Sequence, residues 1–237
     1  MTLEPVPRPV PLSDQAYDQL RSSILDGDFP AGQRMSVVSM SQQLQMSRSP
    51  VRSAVERLVT EGLLMVTPMG IELAQVGHGD LIDGLQVRSR LEGLAAHLAT
   101  ERLSTAELDR LRENMGRFEA AVHRADTVTA RRLDLEFHSV IRDNCGNRLL
   151  IENLRRVQAR VIVATYVTAW VAAHEAAIAE HAAILAALDA SDPVAAERAA
   201  IDHLERLIVR VSDYFAAADR AQVEVVGVSG GTSTAGT

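Results

Sequence analysis

Apolar residues recur at three- and four-residue intervals along most of the chain, which is the period of an amphipathic helix. Ala16, Tyr17, Leu20, Ile24 and Leu25 follow it, and Ser13 or Asp14 stands where a cap for the helix they predict belongs. Asp26 to Gly32 is a turn-forming run. Residues 36–44 predict a short second helix with Val37, Val38, Met40, Ser41 and Leu44 turned inward. Ser47 to Glu61 predict a third, with an apolar stripe of Val51, Ala54, Val55, Leu58 and Val59 and with Gly62 as its stop. Pro50 is tolerated there because first-turn amides have no helical partner to lose. The pattern then changes. Leu63–Thr67 and Gly70–Val76 flank Pro68-Met69 and predict a two-stranded hairpin. From Asp80 to about Ala217 the helical period returns and predicts six helices, near 80–101, 104–124, 127–143, 147–170, 172–189 and 192–217. Ser104, Asp126 and Ser191 or Asp192 suit their caps, and Pro193 suits an early helical position.

This order predicts a mostly α protein: an N-terminal winged helix-turn-helix with a small β-hairpin, then a C-terminal antiparallel bundle of about six helices. The expected divisions are a proline-rich flexible arm at 1–12, the winged domain at 13–76, a Gly-His-Gly linker at 77–79, the helical domain at 80–217 and a disordered tail at 218–237.

Composition narrows the function. The net charge is −7 and the basic side chains are all Arg. Residues 1–76 hold six Arg against eight acids, so a coat for indiscriminate nucleic-acid binding is excluded and any DNA affinity is local. A single cysteine, Cys145, forms no internal disulfide, which fits a reducing compartment. No long apolar run or secretory pattern is seen, so a cytoplasmic protein without a membrane partner is expected.

Two groups of residues carry candidate chemistry. Met46-Ser47-Arg48-Ser49-Pro50-Val51-Arg52 opens the third helix with two arginines, hydroxyls and no acid. A helix N-terminus favours phosphate through its free amides and dipole. Arg48 and Arg52, four apart, share one face, which suits entry into a major groove. A solvated surface helix is the plainer alternative. In the helical domain, Asp134 and His138 share a face of one helix, while His181 and His203 each lie in an apolar pattern on others. Three inward imidazoles and a carboxylate suit a divalent ion, zinc first, with nickel or manganese as alternatives. Taken singly, each of these histidines is more readily an ordinary core or surface group than a ligand. His78, His97, His123 and His174 are assigned to that ordinary class.

The sequence resembles the GntR superfamily of bacterial transcription regulators, in the FadR subgroup with an FCD sensing domain. The resemblance rests on Ala16-Tyr17-Asp18-Gln19-Leu20-Arg21, Ile24-Leu25-Asp26-Gly27, Pro30-Ala31-Gly32, Ser47 to Arg52, Ala54-Val55, Leu58 and Glu61-Gly62-Leu63. In the second domain it rests on Arg88, Leu91 to Ala96, Asp134, His138, His181 and His203. It implies a homodimer on palindromic operator DNA, most often a repressor, controlled by a small carboxylate effector at a metal site. Arg34, Ser47, Arg48, Ser49 and Arg52 would contact DNA, and Arg88 would bind the effector carboxylate. The wing, Thr67-Pro68-Met69-Gly70, is shorter and less charged than in many relatives. The metal set turns the reading away from fatty-acyl-CoA effectors. Two alternatives use the same residues: a metalloenzyme acting through a metal-bound water in a helical bundle, and a direct metal-ion sensor. Against the first, Glu136, the nearby candidate base, is expected to point away from Asp134 and His138.

Overall fold

A computed structural model describes residues 10–29, 33–74, 77–165 and 170–229. The chain divides into two compact units, Met1–Gln75 and Val76–Thr237. Residues 1–9 of the expected arm, the Pro30-Ala31-Gly32 turn, the end of the second expected strand and residues 230–237 of the tail lie outside the described residues.

The first unit runs α1 (Leu12–Asp26), α2 (Val37–Gln43), α3 (Arg48–Thr60), β1 (Leu64–Thr67) and β2 (Gly70–Leu73). Its core is the apolar stripe of each helix: Ala16, Leu20 and Ile24 of α1, Met40 of α2, and Val51, Ala54, Val55 and Leu58 of α3 are buried. Val38 was expected inward but is 40% exposed. With only two helical turns, α2 points one narrow face at the core, and Met40 with Ser41 fills it. Ser36 caps α2 in a reciprocal box with Ser39. Neither Ser13 nor Asp14 caps α1. The helix begins at Leu12 after Pro11, whose fixed backbone starts it earlier. Asp14 instead accepts from Arg57 Nη1 at 2.6 Å and ties α1 to α3.

The hairpin pairs Leu64 with Leu73 and closes at Thr67 and Gly70. Met35 adds a two-way backbone bridge to Ile71, both bonds 2.8 Å. Gly70 has φ +139 and a side chain there would meet Met35 O at 2.9 Å, so the bridge depends on the missing Cβ.

The second unit holds, among the described residues, α4 (His78–Thr100), α5 (Thr105–His123), α6 (Thr127–Asp143), α7 (Arg148–Thr165), α8 (Trp170–Asp189) and α9 (Pro193–Ser229). Ser104 caps α5 in a box with Glu107, Asp126 caps α6, and Asp192 Oδ1 accepts from the first amides of α9 at 3.1 and 3.0 Å. α4 is the axis of the unit: α9 packs along it, and α6, α7 and α8 also touch it. Phe137, Leu111, Ile184 and Leu188 belong to one buried apolar cluster that joins α4, α5, α6, α8 and α9. α9 continues to Ser229, past the expected start of a disordered tail at 218. Residues 215–224 are alanine-rich with polar helix formers and no Gly or Pro, so propensity carries the helix on.

Tyr17 joins α1 to α3 a second time. Its hydroxyl donates to the Glu61 carboxylate at 2.8 Å, and the Arg57 guanidinium lies 3.9 Å from its ring centre. Burial and then the bond to Glu61 push its phenol up to about 12. The unfolded phenol ionises near 10. The neutral form is therefore favoured by folding, and its contribution is complete below pH 10 and lost as pH rises from 10 to 12. Phenolate absorbance during an alkaline titration is expected to show one tyrosine ionising near 12 or only upon unfolding, and Tyr17→Phe is expected to remove that step.

Candidate nucleic-acid interface and candidate metal centre

The stripe that buries one side of α3 leaves its N-terminal end on the surface. Ser47, Arg48, Ser49 and Arg52 are all exposed. Ser47 occupies the N-cap but makes no side-chain cap bond, and the first turn holds no acid. The opening amides of α3 are thus left to solvent or to an anion. Neither Arg48 nor Arg52 has an ion-pair partner among the described residues. Arg57, on the same helix, is held by Asp14. Arg34 is exposed too, but its Nε donates to Glu72 Oε1 at 3.1 Å. Four of the five expected DNA-contact residues therefore share one exposed helix end, and Arg34 is engaged on the hairpin.

In the second unit the expected ligand set meets inside the bundle. Asp134 and His138 come from α6, His181 from α8 and His203 from α9, each at most 5% exposed. One ligating nitrogen from each imidazole lies within 4.8 Å of those of the other two. His181 Nε2 stands 3.4 Å from Asp134 Oδ1, and His138 Nε2 3.9 Å from the same oxygen. Phe137 stacks on the His181 ring with centroids 4.6 Å apart.

Behind two of the rings stand carboxylates that sequence reasoning did not single out for a role. His138 Nδ1 is 2.8 Å from Glu92 Oε2. Glu92 Oε1 accepts from Arg88 Nε at 2.6 Å and from Gln158 Nε2 at 2.8 Å. His203 Nδ1 is 2.7 Å from Glu180 Oε2. Arg210 grips both oxygens of Glu180, at 2.8 and 3.0 Å. Each carboxylate thus fixes its ring with Nδ1 outward and Nε2 toward the cluster. The signal was a Glu inside an apolar helical stripe: Glu92 among Leu91, Ala95 and Ala96, and Glu180 just before His181.

Charge follows from this packing. Burial opposes ionisation of Glu92, but Arg88 and His138 outweigh it and hold the carboxyl well below the usual range. Burial likewise opposes Glu180, and the bonds from His203 and Arg210 bring it down to about 2. Burial, helped by His203 and His138, holds His181 well below its ordinary value, and burial lowers His203 against the pull of Glu180. Both rings are neutral near pH 7, the form that ligates metals.

The donor set fits a divalent ion. His138 Nε2, His181 Nε2 and Asp134 Oδ2 are buried without a hydrogen-bond partner among the described residues. Leaving buried polar atoms unpaired costs about 1–3 kcal/mol each, and an ion would satisfy all three. Ligand atoms about 2.0–2.2 Å from one zinc lie roughly 3–4 Å apart, so the rings need only a small inward movement. Arg88, expected to bind an effector, is buried, and only its Nε is hydrogen-bonded among the described residues. A small cavity adjoins the cluster, lined by Glu92, His138, Ile141, Arg142, Ile184 and Ala200. Glu136 faces away and pairs with Arg110 at 2.6 Å on the surface. Of the histidines assigned to the ordinary class, His97 pairs with Glu197 at 2.9 Å and His78 stacks on Phe215 at 4.2 Å; the His174 side chain lies outside the description.

A winged helix-turn-helix followed by a helical unit is the arrangement of a DNA-binding transcription regulator. Comparison with known proteins agrees. The FCD domain family matches residues 83–206, and the family of bacterial regulatory proteins called gntR matches residues 12–70. The chain belongs to the GntR family of bacterial regulators, in the group with an FCD domain. It is 30% identical over 152 residues to the HTH-type transcriptional regulator YdhC of Bacillus subtilis (strain 168), covering 63% of this chain and 68% of that one. It is 26% identical over 210 residues to the HTH-type transcriptional repressor RspR of Escherichia coli (strain K12), covering 87% and 92%. The solved structure of E. coli McbR/YncC shares the fold, with a TM-score of 0.76 at 24% identity, covering 87% of this chain and 100% of that one.

α4 approaches α9 closely at Gly93, next to Glu92. A Cβ there would lie 2.7 Å from Ile201 Cγ1 and 3.3 Å from Glu197 O. Gly93→Val is expected to destabilise the chain by about 1–3 kcal/mol through overpacking, read as a drop of several degrees in Tm.

Proposed function

We propose that the chain is a homodimeric, cytoplasmic repressor that grips palindromic operator DNA through Ser47, Arg48, Ser49 and Arg52, with Arg34 at the margin. Its affinity is set by a small carboxylate effector at a divalent ion, zinc first, held by Asp134, His138, His181 and His203. The observation behind the sensing half is the convergence of three buried imidazoles from three helices, with His138 Nε2, His181 Nε2 and Asp134 Oδ2 unpaired among the described residues. Two neutral rings, a third imidazole and one carboxylate leave a bound dication with excess positive charge, and that favours an anionic effector. The ion would supply a Lewis-acidic position for one effector oxygen, and the Nη groups of Arg88 would take another. Glu92 and Glu180 keep two imidazoles aimed inward, which is how buried partners tune a metal site. The regulator reading is favoured over a metalloenzyme because the winged unit then has a use and Glu136 lies away on the surface.

Arg48→Ala and Arg52→Ala are each expected to weaken operator binding by about 1–3 kcal/mol where the lost contact is to a base. Mobility shifts at fixed salt would read this, and unchanged affinity in both variants would overturn the docking. His181→Ala and His203→Ala are expected to lower bound metal and to abolish the effector response. Metal content together with thermal shifts against a panel of small carboxylates measures both, since a ligand specific to the folded state raises its stability. Full metal and full response in both variants would refute the sensing half.

A further inference from the structure

The small cavity beside the imidazole cluster is walled by α4, α6, α8 and α9. Ala95, Ala96 and Ala200 line it with short apolar side chains, and its polar residues are Glu92, His138 and Arg142. Of the four expected ligands only His138 borders it, and Arg88 is not among its lining residues. Among the described residues, the arginine in its wall is therefore Arg142.

Arg142 is buried and follows His138 by four residues, so the two leave one face of α6 about 6 Å apart along its axis. Its guanidinium is anchored at three points. Nε and Nη2 donate to the two Asp143 oxygens at 2.9 and 3.0 Å, and Nη1 donates to Gln158 Oε1 at 2.6 Å. A guanidinium has five N–H donors, so one on each Nη keeps no partner among the described residues. Gln158 also donates to Glu92 Oε1, which ties the anchor to the cavity wall. Asp143 does not spend the whole charge of Arg142, because Arg155 shares it at 3.1 Å. Burial opposes ionisation of Asp143, yet the two guanidiniums hold its carboxyl below the usual range. Arg88 already balances Glu92. Two guanidiniums against one carboxylate leave a positive charge over at the Arg142 end of the cavity.

We propose that Arg142 selects effectors with a second anionic group, so that the effector is a short dicarboxylate: one carboxylate lies at the ion and the other takes the remaining Nη donors of Arg142. The inference rests on the sensing reading and narrows it from small carboxylates in general to diacids. One helical turn between His138 and Arg142 sets the span, and the short alanine side chains leave space for a chain of methylenes without a bulky substituent. The anchors make the guanidinium a rigid receptor, since a side chain already held at three points loses little freedom on binding. A monoacid would leave the surplus charge of this wall unmatched.

The test is calorimetry on the zinc-loaded full chain with succinate and with butyrate, which share a four-carbon chain and differ in the second carboxylate. The parent is expected to bind succinate about 10–100-fold more tightly, the size of one charge-assisted contact. Arg142→Met keeps the stem and removes the donors, and it is expected to abolish that preference by weakening succinate far more than butyrate. A parent that binds both acids alike leaves the sensing reading standing and overturns this one. A Met variant that keeps the preference, or that loses Tm and weakens both acids equally as a purely structural ion pair would, also overturns it. Should Arg142→Met fail to fold, Arg142→Lys carries the test: it keeps the charge without the forked donors, and an undiminished preference for succinate overturns the proposal. A parent that binds neither acid defeats the sensing reading, and this inference falls with it.

Discussion

The helical unit depends on how two buried carboxylates are neutralised. Glu92 and Glu180 are buried in the bundle, where an unpaired charge costs several kcal/mol. Arg88 and Arg210 offset that cost by hydrogen bonds at 2.6–3.0 Å. Once ionised, each carboxylate accepts a hydrogen bond from an imidazole Nδ1–H. That fixes the tautomer and aim of His138 and His203, and the cluster follows. Removing one arginine would strand a buried anion and loosen a ring two bonds away.

The constraint also explains the order of α4. Arg88, Glu92 and Gly93 fall within six residues, yet they serve three ends: a counter-ion, an orienting acceptor and a close helix contact. The spacing of four puts Arg88 and Glu92 on one face, so the pair is formed within a single helix and needs no tertiary search. Gln158 of α7 then joins Glu92 to Arg142, whose guanidinium also chelates Asp143 at 2.9 and 3.0 Å. The polar network therefore reaches from the imidazoles to the end of α6 and onto α7 without an exposed step between Glu92 and Gln158.

Much of this was legible in the sequence because the signals were local. Hydrophobic period located the six helices seen among the described residues of the second unit, and Ser104, Asp126 and Asp192 marked three starts correctly. The three histidines and Asp134 were readable as a group, since polar residues stood alone in apolar stripes. Glu92 and Glu180 had the same signal and were passed over, because an acid near an arginine or a histidine reads first as a surface pair. Failures at chain ends had another cause. Pro11 moved the start of α1, and helix propensity alone carried α9 past the point where apolar patterning fades.

The first unit follows the opposite logic, since its useful charges are those left unpaired. The whole chain is acidic, with a net charge of −7, so long-range attraction to DNA is weak or repulsive. Contact then has to come from a few cations whose charge is not already spent. Arg57 is spent on Asp14 and on the face of Tyr17, and Arg34 on Glu72. Arg48 and Arg52 retain their full charge beside the uncapped amides of α3, and a phosphate there meets both the helix terminus and a guanidinium. So few free cations release few counterions, which gives a shallow dependence of affinity on salt compared with densely basic binders. Selectivity in such a protein rests on base contacts, because the backbone term is too small to hold the chain on arbitrary sequence.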